Sequence, residues 1–370
     1  MKRVLFLIHD LGPGGAEKVL VTLANSLDRT KFDVSVKTLF DWGENRQFLA
    51  PDVHYSAWAP TDIRGNSHWM KLWSPERLYR MIVREPYDIV VSFLEGPSAR
   101  VAGGCPQDGT KVVSWIHTPI LTEEHFTEGF RNRAEAERCY GRADELVFIS
   151  GDVRDAFFRQ FTPTAKAKVL YNIYDTDAIR AMAAIEPDDP PMDSGKMNWC
   201  GVGKLIPLKG WTRLLEIQRD LVHEHYPAHF YLIGEGPQRA ELEEMVDEMK
   251  IRDSVTFTGY RTNPYQYLSR CMLYVCASQR EGYSNTRVEA LVTGVPVCSV
   301  DVGGTREILG ENSEYGFVVE NDDSELRKAV FRFFREPALL EDYTRRARIR
   351  GQMFDKEQSV RAVEEMLLSL

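Results

Sequence analysis

The sequence predicts an α/β protein made of two open, Rossmann-like domains, each a parallel sheet wrapped by helices. Three observations carry this. Short apolar runs alternate with helix-like stretches through both halves, a proline- and acid-rich segment separates the halves, and glycine-rich turns follow several of the runs. Strands covered on both faces read as near-continuous apolar runs, which gives strands over 4–8, 34–38, 89–93, 112–116 and 145–149 in the first half. The same pattern gives 198–202, 228–233, 254–257, 272–277 and 296–300 in the second. Between them, residues 186–195 are rich in Pro and Asp, which forbids a helix and keeps the segment solvated. The domains are therefore expected over 1–185 and 196–353, joined by the 186–195 linker, with a helix over 354–370 that lines up Val360, Val363, Met366 and Leu367. Ligands are expected at the carboxyl ends of the strands, in a cleft between two facing domains.

Composition narrows the classes. The 370 residues suit two domains, and 43% hydrophobic with 27% charged residues excludes a disordered chain. A net charge of -9, from 55 acidic and 46 basic residues, argues against general nucleic-acid binding. The six cysteines show neither a C-x-x-C pair nor zinc-ligand spacing and read as buried free thiols in a reducing compartment. The opening apolar run breaks at His9 and Asp10, too early for an export signal, and no stretch reaches the roughly 20 apolar residues of a membrane span. A cytoplasmic protein with at most peripheral membrane contact is expected.

Glycine turns follow the strands where the ligand rule wants them. Gly12-Pro-Gly14-Gly15-Ala-Glu17 follows the first strand, Gly201-Val-Gly203-Lys204 opens the second domain, and Gly234-Glu-Gly236-Pro237 comes next. Such turns let backbone approach a ligand and offer amides to an anion, and they serve equally to pack a helix onto a sheet. The dinucleotide fingerprint G-x-G-x-x-G is not met, because Glu17 and Ile206 stand where its third glycine belongs. That counts against a nicotinamide-dependent dehydrogenase.

The sharpest constellation is Arg280-Glu281-Gly282-Tyr283-Ser284-Asn285-Thr-Arg-Val-Glu289, after an apolar strand. Ser284 or Asn285 suits a helix N-cap, which places Glu281 in the loop and Glu289 in the early helix. Two acids so placed can reach different ends of one ligand, while helix-start amides attract phosphate. On spacing alone, ordinary salt bridges account for both acids as well.

The string from Glu281 to Val297, with Gly303-Gly304-Thr-Arg-Glu307 beyond it, resembles the E-x7-E signature of glycosyltransferase family 4, retaining enzymes of the GT-B fold. Further segments are similar in family order: Gly14-Gly15-Ala-Glu17, Asn172, Gly203-Lys204 to Lys209-Gly210, Gly234-Glu-Gly236-Pro237 and Phe257-Thr-Gly259. The resemblance implies two Rossmann-like domains and a terminal helix that crosses back to the first. It implies that Lys204 and Lys209 neutralise the donor diphosphate, with lysine at 204 where the family has arginine, so the planar two-pronged grip is lost while the charge is kept. Glu289 is then expected on the ribose hydroxyls and Glu281 on those of the transferred sugar, helped by amides from Gly282 to Asn285 and by the Gly14, Gly15 and Gly203 turns. His117 matches the family histidine that faces the donor sugar, and a strand-end residue bonded to backbone is the alternative. The mechanism implied needs no protein nucleophile, metal or cofactor.

Three expectations are looser. Glu95, at another strand end, is a candidate for the acceptor. Trp69, Lys71, Trp73, Arg77, Arg80 and Arg84 suggest a basic, tryptophan-bearing face toward a membrane or lipid-linked acceptor, against a solvated helix with core-facing tryptophans. The expected reaction moves a sugar from a nucleotide donor, with UDP the first choice, to a saccharide acceptor in bacterial surface-polysaccharide or glycolipid assembly. A soluble small-molecule acceptor, a nucleotide-sugar epimerase and a binding protein of the same fold remain alternatives.

Overall fold

The apolar runs of the first half assemble into one parallel sheet. The computed structural model describes residues 1–61, 69–187 and 189–370. The first sheet contains β1 (Lys2–Ile8), β2 (Phe32–Phe40), β3 (His54–Ala59), β4 (Ile89–Ser92), β5 (Lys111–Ile116), β6 (Glu145–Phe148) and β7 (Lys166–Val169), in the order β3-β2-β1-β4-β5-β6-β7. Helices cover its central strands so fully that Val4, Leu5, Phe6, Leu7 and Ile8 are all inaccessible to solvent. The second sheet contains β8 (Met197–Val202), β9 (Ala228–Ile233), β10 (Val255–Gly259), β11 (Leu273–Cys276), β12 (Val297–Val300) and β13 (Phe317–Val319), in the order β10-β9-β8-β11-β12-β13. In its core Trp199 stacks on Phe230 at 4.2 Å and donates its indole N–H to Gln218 Oε1 at 2.7 Å. The amide of buried Gln218 donates in turn to the carbonyls of Ala228 and Ser254, so the polar group is satisfied inside an apolar layer.

Both sheets reverse direction of growth at their first strand, at β1/β4 and at β8/β11, and loops from the carboxyl ends of these neighbours converge there. Three strands were not anticipated: β3, β7 and β13. β3 and β7 lie at the edges of the first sheet and carry mixed sequences, and β13 at the edge of the second is apolar but only three residues long, too short to mark a strand.

The domain boundaries differ from the sequence expectation. One unit is Met1–Tyr174 with Lys356–Leu370, and the other is Asp175–Asp355. The helix Thr176–Ala183 thus belongs to the second unit, because Asn263 Nδ2 donates to the Met182 carbonyl at 2.9 Å and Ser269 Oγ to that of Ala183 at 3.1 Å. The expected linker also packs on this unit: Tyr267 donates its hydroxyl hydrogen to the Asp189 carbonyl at 2.6 Å, and the Asp193 N–H reaches Tyr231 Oη at 3.1 Å. Asp188 lies outside the described residues. Lys356–Ser369 is a helix of the first unit, where Glu364 accepts from the Asp28 N–H at 2.8 Å and from Lys31 Nζ at 2.7 Å. All six cysteines are buried and free. Among the described residues no helix is long and apolar enough to cross a membrane.

Candidate active site

In the second unit, parallel pairing of β8 with β9 and β11 brings the glycine turns and the acidic loop to one edge. Gly234 has φ +149°, and a Cβ there would lie 1.9 Å from the Gly203 carbonyl oxygen. The two glycine turns therefore pack backbone on backbone, which no side chain at 234 permits. Lys204 is exposed, and the Lys204 carbonyl accepts from Trp211 Nε1 at 3.0 Å. Lys209 closes the short 3₁₀ turn Pro207–Lys209, and its stem passes over Gly203.

Lys209 Nζ lies 2.6 Å from Glu281 Oε1, the same oxygen that accepts from Ser278 Oγ at 2.7 Å. The loop carrying Glu281 is closely backed by the next strand's turn, since a Cβ on Gly303 would sit 2.3 Å from the Glu281 carbonyl oxygen. Burial pushes the Glu281 carboxyl up. The charges of Lys209 and Arg287, with the hydrogen bonds from Lys209 and Ser278, outweigh it and hold the group below the ordinary carboxylate range. Glu281 is thus an anion with one oxygen committed.

The helix Asn285–Val292 begins where the sequence places it, with Ser284 at the N-cap. The side chain of Ser284 makes no capping bond, however; its Oγ pairs with Thr286 Oγ1 at 3.1 Å, and Thr286 also meets Tyr274 Oη at 2.6 Å. Glu289 is 6% exposed and its Oε1 accepts from the Tyr265 hydroxyl at 2.8 Å. Tyr265, Ser278 and Arg287 were missed by sequence reasoning. Their roles come from contacts across the fold, and no local motif announces them.

In the first unit, the register Ser92↔Ser114 sets Glu95 and His117 three residues beyond paired positions, so they meet. Glu95 Oε2 accepts the His117 backbone N–H at 2.9 Å, and Oε1 accepts from Thr118 Oγ1. Burial raises the Glu95 carboxyl above its usual range, against the opposing pull of these bonds. The His117 ring packs on Phe93 at 4.6 Å, and burial pushes its pKa down to about 3. The imidazole is neutral at physiological pH, and its buried Nε2 has no hydrogen-bond partner among the described residues. On the neighbouring strand end, Asp10 Oδ1 accepts from the Gly12 N–H at 2.7 Å and shapes the glycine loop. Gly14 is the N-cap of the helix Gly15–Ser26, and a Cβ at 14 would collide with the Glu17 carboxylate.

The tryptophan-bearing segment has a mixed outcome. Trp69 is 61% and Leu72 67% exposed, whereas Trp73 is half-buried. Trp69 therefore does not face the core. Lys71 is half-buried, and Arg77, Arg80 and Arg84 are exposed around the helix Pro75–Ile82, whose Leu78, Tyr79 and Ile82 turn inward.

Comparison with known proteins fits this geometry. Residues 13–178 match the family described as Glycosyltransferase Family 4, and residues 187–350 match Glycosyl transferases group 1. A Campylobacter jejuni protein named N-acetylgalactosamine-N,N'-diacetylbacillosaminyl-diphospho-undecaprenol 4-alpha-N-acetylgalactosaminyltransferase is 25% identical over 382 residues, covering 100% of both chains. The lipopolysaccharide core biosynthesis glycosyltransferase LpsD of Rhizobium meliloti is 31% identical over 38% of this chain and 40% of its own. Among solved structures, Anabaena HepE in complex with UDP and glucose superposes with a TM-score of 0.80 at 19% identity, covering 100% of each chain. Sucrose-phosphate synthase from Thermosynechococcus elongatus gives 0.79 at 19% identity, over 100% of this chain and 99% of that one.

Proposed function

Because the chain belongs to glycosyltransferase family 4, has the GT-B fold and uses a nucleotide-sugar donor, we propose that it transfers a sugar from a UDP-sugar to a lipid-linked saccharide, with retention at the anomeric carbon. The observation that carries this reading is the contact between Lys209 and Glu281 at the carboxyl edge of the second sheet, where a cation for phosphate and a carboxylate for hydroxyls stand side by side. Lys204 and Lys209 take the diphosphate. Glu281 accepts hydroxyls of the transferred sugar, Glu289 those of the ribose, and the Gly203 turn with the Gly282 to Asn285 backbone cradles the phosphates. The UDP bound by HepE supports the choice of nucleotide, and the diphospho-undecaprenol in the Campylobacter relative's name supports a lipid-linked acceptor.

In the reaction, the bond from the anomeric carbon to the diphosphate oxygen breaks while the acceptor hydroxyl oxygen bonds to that carbon from the same face. The acceptor proton passes to the departing phosphate oxygen. Preorganised cations and amides stabilise the charge that develops on the leaving group, and no metal ion is needed for that. His117 offers a neutral ring nitrogen to a sugar hydroxyl, and Glu95 stands beside it for the acceptor. The exposed Trp69, Leu72 and arginines bring the enzyme to the membrane that carries a lipid acceptor, on its cytoplasmic side.

The test is incubation with a panel of nucleotide sugars and a polyprenyl-diphosphate saccharide, in buffer with and without EDTA, followed by mass and NMR analysis of the lipid product. The reading expects sugar on the lipid, an anomeric configuration matching the donor, and equal rates with EDTA. Inversion at the anomeric carbon, or release of free sugar without transfer, rejects it.

A further inference from the structure

Lys209 has two claims on its ammonium. In the structure it sits 2.6 Å from Glu281 Oε1, and the proposed function gives the same group to the donor diphosphate. If Lys209 turns to the phosphates, Glu281 keeps the bond from Ser278 but loses its closest cation. Its carboxylate is only 13% exposed, so water does little to replace that charge. An acid in such a place takes up a proton, and a protonated Glu281 gives up one of the lone pairs that receive sugar hydroxyls.

A second cation reaches the same carboxylate through two side chains, since Ser278 Oγ, which donates to Glu281 Oε1, also accepts from Cys276 Sγ at 3.6 Å, and Cys276 in turn meets Arg287. Arg287, on the first turn of the helix Asn285–Val292, is completely buried. Its Nη2 donates to Cys276 Sγ at 3.4 Å, while Nε and Nη1 have no hydrogen-bond partner among the described residues. A buried guanidinium with one sulfur contact and two idle donors is a poor structural clamp. For stability alone an apolar side chain fills such a space better, because the desolvation of the charge is avoided. The titratable groups facing it are Cys276 and Tyr274 on β11 and Glu281 in the loop, and of these Glu281 is the carboxylate. Lys209 faces Glu281 from the turn after β8. Two cations are therefore set against one carboxylate, one on a half-buried stem at the edge of the sheet and one fixed in the core.

We propose that Arg287 is a positioning residue of the donor site: it keeps Glu281 ionised while Lys209 is handed from Glu281 to the donor diphosphate. This rests on the assignment of Lys209 to the diphosphate. The electrostatics of the site agree with it, since burial raises the Glu281 carboxyl while Lys209 and then Arg287 exert the largest charge effects in the opposite direction. A neutral residue at 287 leaves Glu281 without a counter-charge at the moment the donor binds. A lysine at 287 restores charge without restoring the shape of arginine.

The test compares the pH dependence of kcat, which reports groups of the donor-bound enzyme, and the calorimetric affinity for UDP in wild type, Arg287→Met, Arg287→Lys and Lys209→Ala. Arg287→Met is expected to move the acid limb of kcat upward by about 1 on the pH scale, which costs about tenfold in activity on that limb. Arg287→Lys is expected to return the limb to its wild-type position. UDP affinity should be unchanged in both. A folded Arg287→Met enzyme with an unmoved acid limb overturns the proposal, as does a shift that Arg287→Lys does not reverse, which marks a packing role. Lys209→Ala separates this from the underlying reading: wild-type UDP affinity there sinks the diphosphate assignment, while the acid limb of Arg287→Met is read independently. Should Arg287→Met not fold, infrared difference spectra of ¹³C-glutamate-labelled wild type, with Glu281→Gln as the subtraction, decide. A Glu281 carboxylate band that persists when UDP is added at slightly acid pH supports the hand-over, and a protonated C=O band in its place refutes it.

Discussion

Tyr265 donates its hydroxyl hydrogen to Glu289 Oε1 across 2.8 Å, from a position only 1% exposed. One oxygen of a buried carboxylate is thereby fixed, and the orientation of the other follows. This gives Glu289 the rigidity that recognition of a pair of vicinal hydroxyls requires, and it separates Glu289 from Glu281, whose fixed oxygen faces Lys209. Glu289→Ala should cost about 1.5 to 3 kcal/mol in UDP binding, a charge-assisted contact, and Tyr265→Phe about 1 kcal/mol through lost positioning. Glu281→Ala should leave UDP binding intact and reduce turnover of the nucleotide sugar. Calorimetric titration with UDP checks all three, and equal losses for the two glutamates would end the division of labour.

The two lysines differ in what surrounds them. Lys209 is anchored by Glu281 over the Gly203 turn, whereas Lys204 is exposed. Lys209→Ala should lower kcat/KM by about ten- to hundredfold, the worth of one charge-assisted phosphate contact. Lys204→Arg should be tolerated, because an exposed side chain has room for the longer guanidinium. Steady-state kinetics on folded variants check this; wild-type turnover in Lys209→Ala would remove the donor site from this edge of the sheet.

How far the sequence reveals these features depends on where the stabilising contacts come from. Central strands announce themselves because both faces are covered, as in Val4 to Ile8, while β13, with the half-buried Phe317, Val318 and Val319, is too short for its apolar residues to mark a strand. The placement of Glu281, Ser284 and Glu289 is legible because a strand, a loop and a helix start follow one another in sequence. Tyr265 and Arg287 are not, since their meaning lies in partners reached through the fold. The boundary at Tyr174 is obscured for a related reason. Prolines and acids at 186–195 mark an irregular segment, but the contact of Thr176–Ala183 with Asn263 and Ser269 decides to which unit the preceding helix belongs.

His117 ties stability to pH. Its pKa falls from the usual 6.5 to about 3 on burial, so the folded state binds fewer protons than the unfolded state between those values. Stability is therefore complete above the unfolded value and declines as pH falls toward the folded one. From pH 6.5 to pH 5 the loss from this residue amounts to about 1.5 kcal/mol. His117→Phe removes the titration, and the raised carboxyl of Glu95, which works in the opposite direction, remains in both proteins. Denaturant unfolding at the two pH values should show a smaller acid-induced loss in His117→Phe than in wild type. Identical losses would mean that water reaches the imidazole.

The Trp69 segment is held in a way that suits a membrane contact. Buried Arg100 donates to the Met70 carbonyl at 2.8 Å and to that of Trp73 at 2.7 Å, while its charge is met by Glu135 at 2.8 Å. Arg131 Nε donates to the Lys71 carbonyl at 2.5 Å. The backbone is thus clamped from within while Trp69 and Leu72 project, so little ordering entropy opposes their insertion into a lipid layer. Arg77, Arg80 and Arg84 add charge attraction of up to about 1 kcal/mol each close to an anionic surface. On a protein of net charge -9, such attraction also orients the molecule, because the remaining surface is repelled. Co-sedimentation should therefore favour anionic over neutral vesicles, weaken with salt, and fall when Arg77, Arg80 and Arg84 become Ser. Trp69→Ser with Leu72→Ser should reduce binding to both kinds of vesicle, since insertion of apolar surface does not depend on headgroup charge. Equal recovery of wild type with neutral and anionic vesicles, unchanged in the arginine variant, would leave these residues as a solvated helix face.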